Sequence, residues 1–272
     1  MNTTTIRRLG LASLFGALLL NLPLAGADDQ LKGVLAGAQR SEANRARDSY
    51  RHPAETLEFF GLKPDMTVVE IAPGGGWYTE ILAPYLREKG KLYAAHFPAD
   101  STGDYAKKSL AGFKAKLAAD AASYDRVMLS ELAPPRPIAP AGSADLAVTF
   151  RNVHNWLEGE GEKAVFKAAF DALKPGGVLG VAEHRAKPGT TRADSLNSGY
   201  TAEQLVIDAA TAAGFVLEEK SEINANPKDT KDYAKGVWTL PPSYAAGDAD
   251  KAKYEAIGES DRMTLRFRKP KG

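Results

Sequence analysis

Apolar positions in this chain fall into short unbroken runs, separated by longer stretches in which they recur at helical spacing. The runs predict strands at residues 67–71, 91–97, 126–130, 145–150, 178–183, 215–223 and 263–268. Residues 28–61 read as helical in three pieces. Leu31, Val34 and Leu35 form a stripe, Ser41 caps a second piece, and Pro53 opens a third that carries Leu57, Phe59 and Phe60. Further helices are predicted at 77–87, at 105–119 with Leu110, Phe113 and Leu117 on one side, and at 161–173 with Val165, Phe166, Ala169, Phe170 and Leu173 facing inward. A last helix, capped by Thr201, runs to Ala213. Strands alternating with helices imply parallel pairing between two helical layers. The final two strands lack a helix between them. They are separated by residues 224–262, rich in Gly, Pro, Asp and Lys.

The segment Val68-Val69-Glu70-Ile71-Ala72-Pro73-Gly74-Gly75-Gly76-Trp77-Tyr78-Thr79-Glu80 carries the most chemistry. An apolar strand ends in an acid, a loop almost without side chains follows, and a helix begins. Glycine removes the Cβ atoms that would keep a ligand from backbone N–H groups and a helix N-terminus. Nucleotide-like cofactors are held in this way at the carboxyl edge of a parallel sheet. The dinucleotide fingerprint G-x-G-x-x-G would need glycine at position 79, where Thr79 stands, so a nucleotide-cofactor oxidoreductase is disfavoured. Taken alone, the loop is equally a bare turn.

This segment resembles the first motif of class I S-adenosylmethionine-dependent methyltransferases, acidic-x-Gly-x-Gly-x-Gly. Glu70 takes the acidic place, Gly74 and Gly76 the second and third glycine places, and Ala72 replaces the first. Leu173-Lys174-Pro175-Gly176-Gly177-Val178-Leu179 is similar to the family's turn into strand five, and Glu183-His184 falls where many members end that strand. Ala144-Asp145-Leu146-Ala147-Val148-Thr149 is similar to the family's entry into strand four. The likeness runs from about Pro53 to Pro270. With Tyr50-Arg51-His52-Pro53 and the closing residues 261–270, it extends to a group of bacterial methyltransferases with export signals. It implies an α/β, Rossmann-like fold with a mostly parallel seven-stranded sheet in the order 3-2-1-4-5-7-6, the last strand antiparallel, and S-adenosyl-L-methionine as cofactor.

The resemblance also places the cofactor's parts. Gly74, Gly75 and Gly76, beside Ala72, are expected beneath the methionine moiety, with Glu70 accepting a hydrogen bond from its amine. Glu131, just after strand three, stands either beside the adenine or in solvent as a loop carboxylate. At the end of strand two, where members carry an acid on the ribose hydroxyls, this chain has His96. A carboxylate accepts both hydroxyl hydrogen bonds and a neutral imidazole only one, so the exchange is expected to weaken ribose binding by roughly tenfold.

Composition narrows the context. Hydrophobic content of 44% with 25% charged residues in 272 residues is that of a soluble globular protein with a large core. Arg7 and Arg8, then a mostly apolar stretch from Leu9 to Leu24, then Ala25-Gly26-Ala27 read as a secretory signal peptide over residues 1–27, with a membrane anchor as the competing reading. The run is short for a membrane span and is broken by Asn21 and Pro23. The expected organisation is this leader, a helical cap over 28–60, and a methyltransferase-like domain over 61–272 with an insert at 224–262. The expected location is the periplasm, reached by the general secretory route in preference to the twin-arginine route. Without the leader's two arginines, 33 basic residues stand against 34 acidic ones. That balance gives no general attraction to nucleic acid or anionic lipid, and no stable membrane anchor is expected after cleavage of the leader. Cysteine is absent, which excludes disulfides, thiolate metal sites and a cysteine nucleophile.

Methyl transfer from a sulfonium is an in-line displacement, so the protein's part is to align an acceptor and take its proton. The stretch Phe150-Arg151-Asn152-Val153-His154-Asn155-Trp156 leaves strand four at the active edge. His154 is the candidate general base, with Asn155 and Arg151 beside it. A histidine that merely satisfies loop backbone is the competing reading. His184 is a second candidate, and strand alternation argues against its acting with Glu183. Arg45, Arg47, Arg51 and His52 form either a clamp for an anionic acceptor or a solvated helix face. Tyr233, Trp238 and Tyr244 form either a lid or loop packing. The histidines show no metal spacing, so no metal is expected. The leading expectation is an exported methyltransferase acting on a small-molecule or envelope acceptor. The alternative is a periplasmic binding protein that keeps the fold and pocket without transfer.

Overall fold

The computed structural model describes Met1 and residues 26–272. The expected leader thus lies outside the described residues except for Met1 and for Gly26 and Ala27, which begin the first helix. The elements in chain order are α1 (Gly26–Leu35), α2 (Glu42–Arg45), α3 (Asp48–Arg51), α4 (Pro53–Phe59), β1 (Thr67–Ile71), α5 (Thr79–Leu86), β2 (Lys91–His96), α6 (Asp104–Ala119) and α7 (Ala121–Tyr124). They continue with β3 (Val127–Glu131), β4 (Ala144–Phe150), α8 (Gly161–Ala172), β5 (Leu173–His184), α9 (Arg192–Ser198), α10 (Glu203–Ala212), β6 (Val216–Ser221), α11 (Lys251–Ile257) and β7 (Arg262–Arg268).

One seven-stranded sheet has the order β3-β2-β1-β4-β5-β7-β6, with β7 antiparallel to both neighbours and the other pairs parallel. Alternation along each strand divides the apolar residues between two layers. Val68, Leu146 and Val178 pack with Leu31, Leu57 and Ile81 on one face. Val69, Ala147 and Leu179 pack with Phe166, Val206 and Leu265 on the other. The N-terminal helices therefore belong to a sheet layer, with Leu31 and Leu57 fully part of its core. Gly180 sits under the Phe60 ring, where a Cβ would come within 2.5 Å of ring carbon.

Local signals hold where their groups stay local. Ser41 accepts from the Asn44 amide and Pro53 opens α4, both as expected. Thr201 does not cap α10. Its backbone bridges Arg185, its amide donates to the His184 carbonyl at 2.8 Å, and Ala202 stands at the cap position instead. The edge of β5 claims this residue before the helix can. Strand five also begins earlier than expected, because Leu173 pairs with Ala144 ahead of a register shift. Residues 224–262 form no crossover helix. They run back over the carboxyl edge of the sheet through a 3₁₀ turn at Gly236–Thr239 and α11, anchored by Asn224 on Thr56 and Thr264. Among the described residues, no helix is long and apolar enough to cross a membrane.

Candidate active site

A crevice of about 500 Å³ opens where the carboxyl ends of β1, β2 and β4 meet. Ala72 and Gly74 form its floor, both in the left-handed backbone region (φ 55° and 57°). A Cβ built on Gly74 or Gly75 meets no atom within 4 Å, so the absent side chains leave open space above the loop. The walls are aromatic and amide: Phe97, Tyr105, Trp156 and Trp238 with Asn152 and Asn155. Asn152 also ties the loop after β4 to the glycine loop, donating to the Ala72 carbonyl at 3.0 Å.

The three titratable residues expected around the cofactor are placed differently. Glu70 turns away from the crevice to Thr79 at the start of α5, whose hydroxyl donates to its Oε2 at 2.6 Å. Burial raises its pKa to about 7, only partly offset by that hydrogen bond and by Lys116. His96 does line the crevice, but its Nδ1 accepts from the Phe97 amide at 2.8 Å and its Nε2 meets the Gly74 carbonyl at 3.1 Å. An imidazole so engaged has no lone pair left for a ribose hydroxyl. It braces the glycine loop, and burial lowers its pKa. Glu131 accepts from the Ala99 amide at 3.0 Å and from Arg136 at 2.7 Å on the surface, apart from the crevice.

The Glu70 shift sets a pH dependence. The folded carboxyl holds its proton more tightly than the unfolded one, so its contribution is complete below about pH 4.5 and is lost as the pH rises to about 7. The loss is about 3 kcal/mol. Glu70→Gln is accordingly expected to raise the urea midpoint at pH 8 and to leave it nearly unchanged at pH 4.5. Equal effects at both pH values would show that Glu70 is not held as an acid.

Beyond the crevice lies a second cavity of about 210 Å³, bordered by Arg151, His154, His184, Trp238, Glu259 and Ser260. Trp238 borders both spaces. His154 Nδ1 lies 3.0 Å from Glu183 Oε1, which also accepts from the His184 amide at 2.7 Å, while Glu183 Oε2 takes the Val153 amide. A carboxylate only accepts here, so Nδ1 carries the proton and Nε2 keeps a free lone pair. His184 Nδ1 lies 2.6 Å from Ser260 Oγ, and its ring centroid is 5.2 Å from that of His154. Burial, then His154 and nearby arginines, push the His184 pKa well below the ordinary imidazole value.

Alternation argued against joint action by Glu183 and His184, yet both converge on His154. The Glu183 carboxylate folds forward over the strand end onto the next amide, and the loop after β4 covers that end from above. The His154, Glu183 and His184 ligand-type atoms all lie within 4.8 Å, a grouping that spacing did not reveal. Three N–H groups meet the Glu183 oxygens and the His184 ring bonds Ser260, so among the three side chains the hydrogen bond runs between His154 and Glu183 alone.

Behind Arg151 lies a buried arginine cluster. Arg47 Nε donates to Glu259 Oε1 at 2.6 Å, Arg51 Nε donates to Oε2 at 3.1 Å, and Arg262 Nη1 stands 3.3 Å from Oε2. Burial alone would raise the Glu259 pKa, but Arg51, Arg262, Arg151 and Arg47 together hold it at about 2. Burial and mutual repulsion lower Arg51 to about 9, and burial lowers Arg151 to about 10. Of the expected cap residues, Arg47 and Arg51 join this cluster. Arg45 instead bonds the Arg40 carbonyl, and His52 turns the chain at φ 40°. Tyr233 packs behind Tyr200 with Val237, and Tyr244 meets Lys251 on the surface.

No family model and no curated protein matches the sequence. Solved structures do match. A SAM-dependent methyltransferase from Aquifex aeolicus is 15% identical with a TM-score of 0.55, covering 89% of this chain and 98% of its own. Geranyl diphosphate C-methyltransferase from Streptomyces coelicolor A3(2), in complex with S-adenosyl-L-homocysteine, is 14% identical with a TM-score of 0.55, over 87% and 84%. The fold is that of the class I methyltransferases. The [4+2]-cyclase SpnF matches this methyltransferase fold as well, at 18% identity and a TM-score of 0.57 over 87% and 86%.

Proposed function

We propose that the protein transfers a methyl group from S-adenosylmethionine to an acceptor seated beside His154. The observation that carries this reading is the shared wall at Trp238: an adenosyl-sized crevice and a cavity holding a poised imidazole meet at one side chain. The crevice suits an adenosyl group, with aromatic walls, a floor open to backbone approach and the amides of Asn152 and Asn155. When bound, the cofactor supplies an electrophilic methyl on a sulfonium. Glu183 fixes the His154 tautomer and favours the imidazolium that forms. His154 Nε2 would accept the proton of the acceptor's nucleophilic atom, while the cofactor would supply the methyl group and depart as the neutral thioether. Asn155, which borders the crevice and not the second cavity, belongs to the donor side.

A second reading is retention of the pocket without transfer. Among the described residues no carboxylate borders the crevice, and SpnF is a cyclase on the same fold. Export to the periplasm is part of the proposal, supported by the leader pattern at residues 1–27. Calorimetric titration with S-adenosylmethionine and S-adenosylhomocysteine is expected to show one site for each. A flat response to both would overturn the cofactor assignment. Transfer of labelled methyl to a panel of small hydroxy, amino and phenolic acids then separates the enzyme from the silent binder.

A further inference from the structure

Three guanidinium groups, those of Arg47, Arg51 and Arg262, meet the single carboxylate of Glu259, and Arg151 adds a fourth positive charge that the same carboxylate feels, a surplus of three. Arg51 and Arg262 are 2% and 4% exposed. Such a surplus out of water is costly unless an anion completes it. Asp261, two positions along the chain from Glu259, is engaged by Arg185, Lys231 and the Asn226 amide. Hydrogen bonding is incomplete as well, since Nη2 of Arg47 and Nη2 of Arg51 are buried without partners.

Arg151 is the member that reaches the cavity. The chain leaves β4 through a left-handed backbone at this residue (φ 60°), fastened by its amide on the Ala182 carbonyl at 2.7 Å. A non-glycine residue held there costs energy and marks an imposed direction. Its side chain borders both the 210 Å³ cavity and the small gap between Arg51, Tyr78 and Arg262. Among the described residues, no hydrogen bond or ion pair engages its guanidinium. His184 and Ser260 border the same cavity as neutral partners, and Glu259 supplies its one negative charge.

We propose that the acceptor is a small oxyanion, a carboxylate or a phosphate, whose charged group docks on the fork of Arg151 with its nucleophilic atom at His154. The cavity is smaller than the ~300–1,000 Å³ of a typical small-molecule site, so it takes the charged head of the acceptor. A guanidinium binds either oxyanion bidentately, which orients as well as holds. The inference rests on the methyl-transfer reading for the acceptor's role, while the anion site itself does not.

The test is calorimetry on the full chain with inorganic phosphate and, separately, succinate, at constant ionic strength in chloride. At least one of the two is expected to saturate at about 1 mM, with Arg151→Met weakening it by about tenfold or more and Arg151→Lys by less. The stronger of the two identifies the oxyanion. No saturation by either, or equal binding by Arg151→Met, overturns the proposal, and the wild-type titration decides even if a variant fails to fold. S-adenosylmethionine is titrated into the same preparations. Anion binding without cofactor binding defeats the transfer reading and leaves the oxyanion site standing. Cofactor binding without an anion response defeats this inference alone.

Discussion

His154→Gln is expected to lower kcat by about 10²–10⁴-fold on the best-labelled acceptor of the panel, while S-adenosylmethionine affinity stays unchanged. The reduction corresponds to about 3–5 kcal/mol of transition-state stabilisation. It is confined to kcat because His154 borders the second cavity and not the crevice. Glu183→Gln is expected to fall in the same direction for a different reason. A glutamine amide can donate to Nδ1, which moves the imidazole proton to Nε2 and removes the lone pair that takes the acceptor's proton. A variant that keeps wild-type kcat would remove His154 from the chemistry.

Glu259→Gln is expected to destabilise the protein by about 3–5 kcal/mol, the usual cost of stripping the counter-charge from buried partners. In a chain of this size that lowers the melting temperature by about 10 °C. The effect should depend on pH in a defined direction. The Glu259 pKa is depressed in the folded state, to about 2 from 4.5, so its stabilisation is complete above pH 4.5 and disappears as the pH falls towards 2. Wild-type and variant denaturation midpoints should therefore converge in acid and diverge at neutral pH. A constant gap would mean that the carboxylate contributes shape and not charge.

The sheet was legible because its evidence is local. Val68 and Val69 alternate between layers, and Pro175-Gly176-Gly177 marks the turn within strand five, whose true start at Leu173 depends on a partner strand. The glycine loop was legible for the same reason, since Gly74 needs its positive φ whatever surrounds it. His154 and Arg151 were found because they follow a recognisable strand end. Their partners were not. Glu183 meets His154 across 29 positions, and Arg47 meets Glu259 across 212, separations at which no spacing rule operates. Glu259 lies in a charged stretch, Gly258-Glu259-Ser260-Asp261-Arg262, of a kind that is ordinarily solvated. Glu70 and His96 occupy motif positions, yet each bonds within the protein, to Thr79 and to the Gly74 carbonyl. A motif gives a residue's address on the backbone; the direction of its side chain is settled by neighbours from elsewhere in the chain.

The bonds from Arg47 to Glu259 and from Arg262 to the Tyr50 carbonyl bind the beginning of the described chain to its end. They act as a clasp that can close only after β7 has been synthesised. A ribosome-bound chain could lay down the parallel strands and still lack the cluster beside Arg151. The cluster beside Arg151 would therefore be completed after all the parallel strands, once Glu259 and Arg262 reach Arg47 and Tyr50.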